Sequence, residues 1–188
     1  SRINHRMHNK LLLVDGRVAI VGGRNQADEY FGYRSDHNFR DFEVIVTGPI
    51  TASLAGVFDL YWNDPWTFPI EDLADSELTR PEIDAWLEEG VATFDHPEPA
   101  SQEEWKALFA AGHLGTVEVI VDTPAGEDPS VDFPIQLASA YIDLIEAAEQ
   151  DLLLVSAYFS PTPELTQALE RAVDRGVVVR ILTNSLGS

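Results

Sequence analysis

The chain has 188 residues, 45% of them hydrophobic, which is enough for a core in one domain or two small ones and excludes global disorder. It has no cysteine, which excludes disulfides and thiolate metal sites, and no apolar run nears the length of a membrane span. The formal charge is −20, and it is uneven: residues 1–50 hold seven Lys/Arg against six acids, residues 51–188 five against 26. A chain this acidic is a poor general binder of nucleic acid or anionic membrane, so an anionic ligand is expected in the first fifty residues. Strand-like sequence starts almost at Ser1 and an apolar run stops just before Ser188, so both ends read as cuts through a longer protein.

Residues 6–14 and 17–21 are two apolar, β-rich runs joined by Asp15-Gly16, a hairpin signal. Gly22-Gly23 ends the second strand. Asn25 can cap a short helix over roughly 26–32, with Asp28 and Glu29 in its first turn. Phe42–Val46 reads as a strand stopped by Gly48-Pro49. Thr51 opens a helix to about Trp62, with Leu54, Val57, Phe58, Tyr61 and Trp62 on one face. Residues 65–115 are acidic and rich in proline, with short helices expected near 81–89 and 101–111. They read as a linker or packed insertion.

From Thr116 the pattern becomes regular. Strands are expected over 117–121, 152–159 and 177–183, a loop over 124–132, and helices over 133–149 and 162–175, the last ending at Gly176. Alternating buried strands and helices predict an α/β fold, with helices on both faces of a mixed, largely parallel sheet. Three segments follow: 1–64, 65–115 and 116–188.

Strand parity puts His8, Lys10 and Leu12 on one face, with imidazole and ammonium about 6–7 Å apart along the strand. That pair suits a phosphodiester. Imidazole can attack phosphorus or protonate a leaving oxygen, and the ammonium neutralises the non-bridging oxygens. Gly22 and Gly23 let backbone approach a ligand closely, and Asn25 can donate its amide to a phosphoryl oxygen. Each residue alone has a plainer reading: His8 packing, Lys10 solvation, Asp15 turn chemistry, Asn25 a helix cap. The joint pattern of His-x-Lys, four residues, Asp, six residues and Gly-Gly-x-Asn is another matter. Chance gives it on the order of a few times in a million in a chain of this length. No spacing rule assigns a contact to Arg24 or Tyr30. The histidines show no metal-ligand spacing; His5, His96 and His113 read as bland surface residues.

This spacing resembles the motif of the phospholipase D superfamily, and residues 22–31 resemble its bacterial cardiolipin synthase-like branch. Ser156–Pro161 and Gly176–Leu186 are similar to early strands of a repeat in that branch. The resemblance implies a phospholipase D-like α-β-α sandwich, two such motifs meeting at a shared site, a covalent phosphohistidine, and no metal or other cofactor. Carried over, His8 is the nucleophile or its acid partner, and Lys10, Asn25 and Gly23 hold the phosphate. Asp15 completes the catalytic motif in a mainly structural role. Asp41 is the carboxylate expected to bond the far nitrogen of the histidine, with Glu43 as second choice. The fragment then holds the end of one repeat, 1–64, and the start of the next, 116–188, with the second motif supplied by missing chain or by a dimer partner. The expected activity is phosphatidyl transfer or phosphodiester hydrolysis on a phospholipid or another phosphodiester, without a nucleic-acid partner. The expected location is a bacterial cytoplasm or membrane surface, with the parent protein membrane-associated. A dimeric nuclease-type phosphodiesterase and a non-catalytic α/β scaffold are the alternatives.

Overall fold

The computed structural model describes residues 7–69, 72, 79–93, 98–124 and 136–185. His5 and His96, expected to be surface residues, lie outside the described residues. The chain divides into one compact unit of residues 1–64 and 119–188 and a second of residues 65–118.

The first unit begins with a three-stranded antiparallel sheet, β1 (Leu11–Val14), β2 (Val18–Gly22) and β3 (Glu43–Thr47). Asp15 and Gly16 turn the hairpin with φ of 52° and 64°, both left-handed, as a type I′ turn requires. The Arg17 N–H donates to Val14 O at 3.0 Å and closes it. The register then runs from Val14↔Val18 to Leu11↔Val21, and β3 continues it from Val18↔Thr47 to Gly22↔Glu43.

Helix α2 (Ile50–Trp62) packs on this sheet. Thr51 is buried at its first turn, and its hydroxyl donates to Gly16 O at 2.7 Å and Gly48 O at 2.9 Å. That bond ties the helix start to the hairpin turn. Ala19 and Leu54 are also buried here. The expected helix face needs correction: Phe58 and Trp62 stack on each other at 5.5 Å but stay exposed. The buried residues of the helix are Thr51 and Leu54. The short helix α1 (Asp28–Phe31) begins after Ala27, so Asn25 is not its cap.

The second part of this unit is a βαβ element: β4 (Asp151–Val155), α6 (Pro163–Asp174) and β5 (Val178–Leu182), preceded by α5 (Gln136–Ala147). Strands β4 and β5 pair in parallel from Asp151↔Val178 to Val155↔Leu182. A parallel pair needs a crossover, and α6 supplies it. Thr162 caps α6 by accepting the Leu165 N–H at 3.3 Å, with Pro163 in the first turn. At its end, Gly176 N–H donates to Val173 O and Val177 N–H to Ala172 O, a Schellman motif that needs the φ of 90° at Gly176. Ile145, Ala168, Leu169, Ala172 and Val177 form the core beneath. Glu146 on α5 takes Arg171 of α6 and Arg175 just after it, at 2.7 and 2.8 Å. The outward side of the strand pair leaves Leu153, Val155 and Leu182 exposed.

The α/β class holds. Among the described residues parallel pairing is confined to β4–β5, whereas the motif-bearing sheet is antiparallel throughout. The strand expected over 117–121 does not form: this run is described without a ladder partner, and β-propensity alone makes no strand. Asp122 within the following residues accepts the Tyr61 hydroxyl at 2.6 Å on its carbonyl and the Leu137 N–H at 3.1 Å on its carboxylate. The second unit carries α3 (Arg80–Thr93) and α4 (Gln102–Ala110), where two helices were expected. Helix α4 opens with a capping box between Ser101 and Glu104.

Two glycines should respond oppositely to alanine. Gly176→Ala forces a Cβ into the left-handed region and should cost about 1–2 kcal/mol. Gly56 lies within α2 with open space around it, so Gly56→Ala should add about 1 kcal/mol. Urea midpoints of the two variants read both signs. The Glu146 carboxyl is held below its ordinary 4.5, first by the Arg171 hydrogen bond. Its contribution is therefore complete above that value and is lost as pH falls through the lower, folded one. Stability of the parent should drop more steeply than that of Glu146→Gln as pH falls from about 5 to 3, measured by urea unfolding.

Candidate active site

Antiparallel pairing decides where the motif residues meet. His8 and Lys10 lie just before β1, Gly23 and Asn25 just after β2, and Asp41 just before β3. With Leu11 opposite Val21 and Gly22 opposite Glu43, these three chain segments emerge at the same end of the sheet. Asp15 sits at the other end, in the hairpin turn. Four strand residues separate it from Lys10, a distance of about 17 Å at strand spacing. The structure thus does not bring Asp15 to the remaining motif residues, and its backbone conformation accounts for its presence.

His8 is exposed, and Lys10 is half-buried. The Lys10 ammonium donates to His8 O at 2.8 Å, so it folds back along the chain toward the histidine. Among the described residues no carboxylate pairs with Lys10, and its charge remains available to an anion.

The glycine pair has a structural reason. A Cβ on Gly22 would lie 2.4 Å from Glu43 Cγ and 2.7 Å from Phe42 O. One on Gly23 would lie 2.8 Å from an Asp41 carboxylate oxygen. The close approach expected for a ligand is therefore made by the start of β3. Asp41 lies against Gly23 and accepts the Phe42 N–H at 2.7 Å; no hydrogen bond joins it to His8. Glu43, the second choice for that partner, is instead ion-paired with Arg24 at 3.0 Å.

Arg24 holds the loop after β2. Its guanidinium also donates to Tyr30 O and lies over the Phe31 ring, 5.4 Å from the centroid. Asn25 donates its side-chain amide to the Tyr30 hydroxyl at 2.8 Å. The Tyr30 ring meets Phe39 at 5.0 Å. Sequence spacing had given Arg24 and Tyr30 no contact. The signal that could have found them is their position, one and seven residues past a glycine pair that must lie flat against β3.

The loop between α1 and β3 carries a further cluster. Arg34 makes a two-pronged bond to Asp36 at 3.0 and 2.9 Å, and His37 Nδ1 lies 3.1 Å from the same carboxylate. Arg34 holds the Asp36 carboxyl well below the usual carboxylate range, with His37 adding to the effect. All are exposed, as is His113. Among the described residues no group of three or more His, Asp or Glu side chains is arranged to hold a metal.

Residues 141–187 match the family model described as "Cardiolipin synthase, PLD-like domain". Cardiolipin synthase C of Escherichia coli (strain K12) is 31% identical over 196 aligned positions, covering 100% of this chain and 41% of that protein. Cardiolipin synthase A of Pseudomonas fluorescens (strain SBW25) is 32% identical, over 98% of this chain and 31% of its own length. The cardiolipin synthase of Oceanobacillus iheyensis is 27% identical, over 96% and 30% respectively. No solved structure matches. Fold, motif and matches together support the phospholipase D superfamily as the class of this chain. Within it the likeness is to bacterial cardiolipin synthases, and the chain spans about 30–41% of the length of those relatives. The motif at His8 lies outside the family-model match but inside the alignment with cardiolipin synthase C.

The two site glycines should differ. Gly22→Ala collides with backbone of β3 and should destabilise by about 1–3 kcal/mol. Gly23→Ala meets only the end of a side chain, so it should fold with less loss while displacing the Asp41 carboxylate. Chemical unfolding and a crystal structure of Gly23→Ala check these outcomes.

Proposed function

We propose that the chain supplies one half of the active site of a cardiolipin synthase-like phosphatidyltransferase. The observation that carries this reading is the gathering of His8, Lys10, Gly23, Asn25 and Asp41 at one end of one antiparallel sheet. The similar proteins of Escherichia coli and Pseudomonas fluorescens are named cardiolipin synthases, which favours a phospholipid substrate.

In the proposed reaction a ring nitrogen of His8 attacks phosphorus of the phosphodiester. The bond to the leaving alkoxide breaks, and a second histidine, outside this motif, gives that oxygen a proton. The phosphoryl group is left on His8. An acceptor alcohol then loses its proton to the second histidine and attacks phosphorus. The phosphorus–nitrogen bond breaks, and His8 is regenerated. Lys10 and Asn25 stabilise the non-bridging oxygens through both steps. Water in place of the alcohol gives hydrolysis. Asp41 orients the imidazole once a ligand draws the site together, since catalytic hydrogen bonds tighten in the bound complex. Asp15 serves the turn.

Residues 1–64 act as the late part of one repeat and 116–188 as the early part of the next, joined by the acidic segment 65–115. The second motif is supplied by a longer polypeptide that carries this chain, at a membrane surface where its lipid substrate lies. No helix among the described residues is long and apolar enough to cross a membrane. Nucleic acid is a poor substrate for this reading, because Lys/Arg outside the first fifty residues number only five against 26 acids.

In the longer polypeptide, brief reaction with labelled phospholipid and an alkaline quench should trap label on His8. His8→Ala should trap none and lose about 10³-fold or more of turnover. Label on another residue with His8 unmodified sinks the assignment of His8 as nucleophile. The 188-residue chain alone should turn over a generic phosphodiester negligibly at any concentration. A rate rising with the square of concentration would mean that a second copy supplies the missing histidine.

A further inference from the structure

The bond between Asn25 and Tyr30 gives this site an additional working residue. Asn25 Nδ2 donates to the Tyr30 hydroxyl at 2.8 Å, which fixes which way the amide faces. One N–H of the amide is thereby committed, and the other remains for a ligand. Having accepted one hydrogen bond, the phenol oxygen still carries its own hydrogen to donate.

Tyr30 is itself held at two points, and the loop it packs on is held at a third. Its ring lies on Phe39 at 5.0 Å. Its carbonyl takes the Arg24 guanidinium, which Glu43 anchors to β3 at 3.0 Å. The Phe39 N–H donates to Glu29 O at 2.8 Å, so the strand-ward loop is fastened to the short helix that carries Tyr30. A loop residue after two glycines would otherwise sample many rotamers. Here a chain of contacts from β3 through Arg24 to Tyr30 holds the amide.

We propose that Tyr30 is a positioning residue for Asn25, holding its amide toward a phosphoryl oxygen and presenting its own O–H to the same anion. The proposal rests on the reading of Asn25 as a phosphate ligand. It assigns Arg24 a different task from Lys10: Arg24 is neutralised by Glu43 and braces the loop, whereas Lys10 keeps its charge for the anion.

Tyr30→Phe is a clean test, because the ring on Phe39 and the carbonyl under Arg24 both remain. Nuclear magnetic resonance of the 188-residue chain labelled at asparagine reads the Asn25 side-chain amide, assigned by its loss in Asn25→Gln. In the wild type its two proton signals should be well dispersed. In Tyr30→Phe they should move to free-amide positions, with the backbone signals of β2 and β3 unchanged. Inorganic phosphate is then titrated into both. It should shift the Asn25 amide in the wild type and bind about fivefold more weakly to Tyr30→Phe, the factor expected for one ordinary hydrogen bond. Asn25 signals and phosphate response identical in the two proteins overturn the positioning role. A wild-type Asn25 amide indifferent to phosphate overturns the phosphate reading itself, and with it the task given to Tyr30.

Discussion

The antiparallel ladder of β1, β2 and β3 is the constraint on which the candidate site depends. Its register is set at one end by Asp15 and Gly16, whose positive φ values allow a tight turn that matches strand twist. At the other end it delivers three separate stretches of sequence to the same place. Because side chains alternate, a slip of one residue would turn every strand side chain to the opposite face. The buried Thr51 hydroxyl guards against that slip, since it bonds the carbonyl of Gly16 in the turn and that of Gly48 after β3.

Charge is distributed with the same economy. The chain is strongly acidic, yet the cations near the motif have distinct assignments. Arg24 is consumed by Glu43, a backbone carbonyl and an aromatic face, and its value is mechanical. Lys10 donates to the His8 carbonyl, and among the described residues no carboxylate pairs with it, so its charge is not cancelled. An exposed ion pair adds little stability, but a guanidinium with several fixed partners loses little entropy for each bond it makes. The same logic recurs in the second part of this unit, where Glu146 joins Arg171 and Arg175 across two helices above the small core of the βαβ element.

Much of the local structure was legible in the residues. The Asp15-Gly16 turn and the end of α6 at Gly176 follow from short-range chemistry, and the structure has them. Other expectations failed where distant partners decide. Residues 117–121 have β-propensity but no ladder to join. Phe58 and Trp62 fall on the apolar side of α2 by period, yet they stack on each other and stay exposed. Asn25 looks like a helix cap from its residue type, but the helix begins after Ala27 and the amide bonds Tyr30.

The sequence alone determined the chemistry on offer: an imidazole, an ammonium, an amide and two bare glycines at fixed spacing, because bond lengths and strand parity act over a few residues. It also determined Asp15 as a turn residue, for the same local reason. Tertiary structure decided which of these groups share one end of the sheet, because that depends on how β1, β2 and β3 pair across the chain. It decided as well that Gly22 and Gly23 make room for Glu43 and Asp41, and that Arg24 and Tyr30 brace Asn25. Those contacts join residues 5 to 21 positions apart in different segments, and no local pattern encodes them.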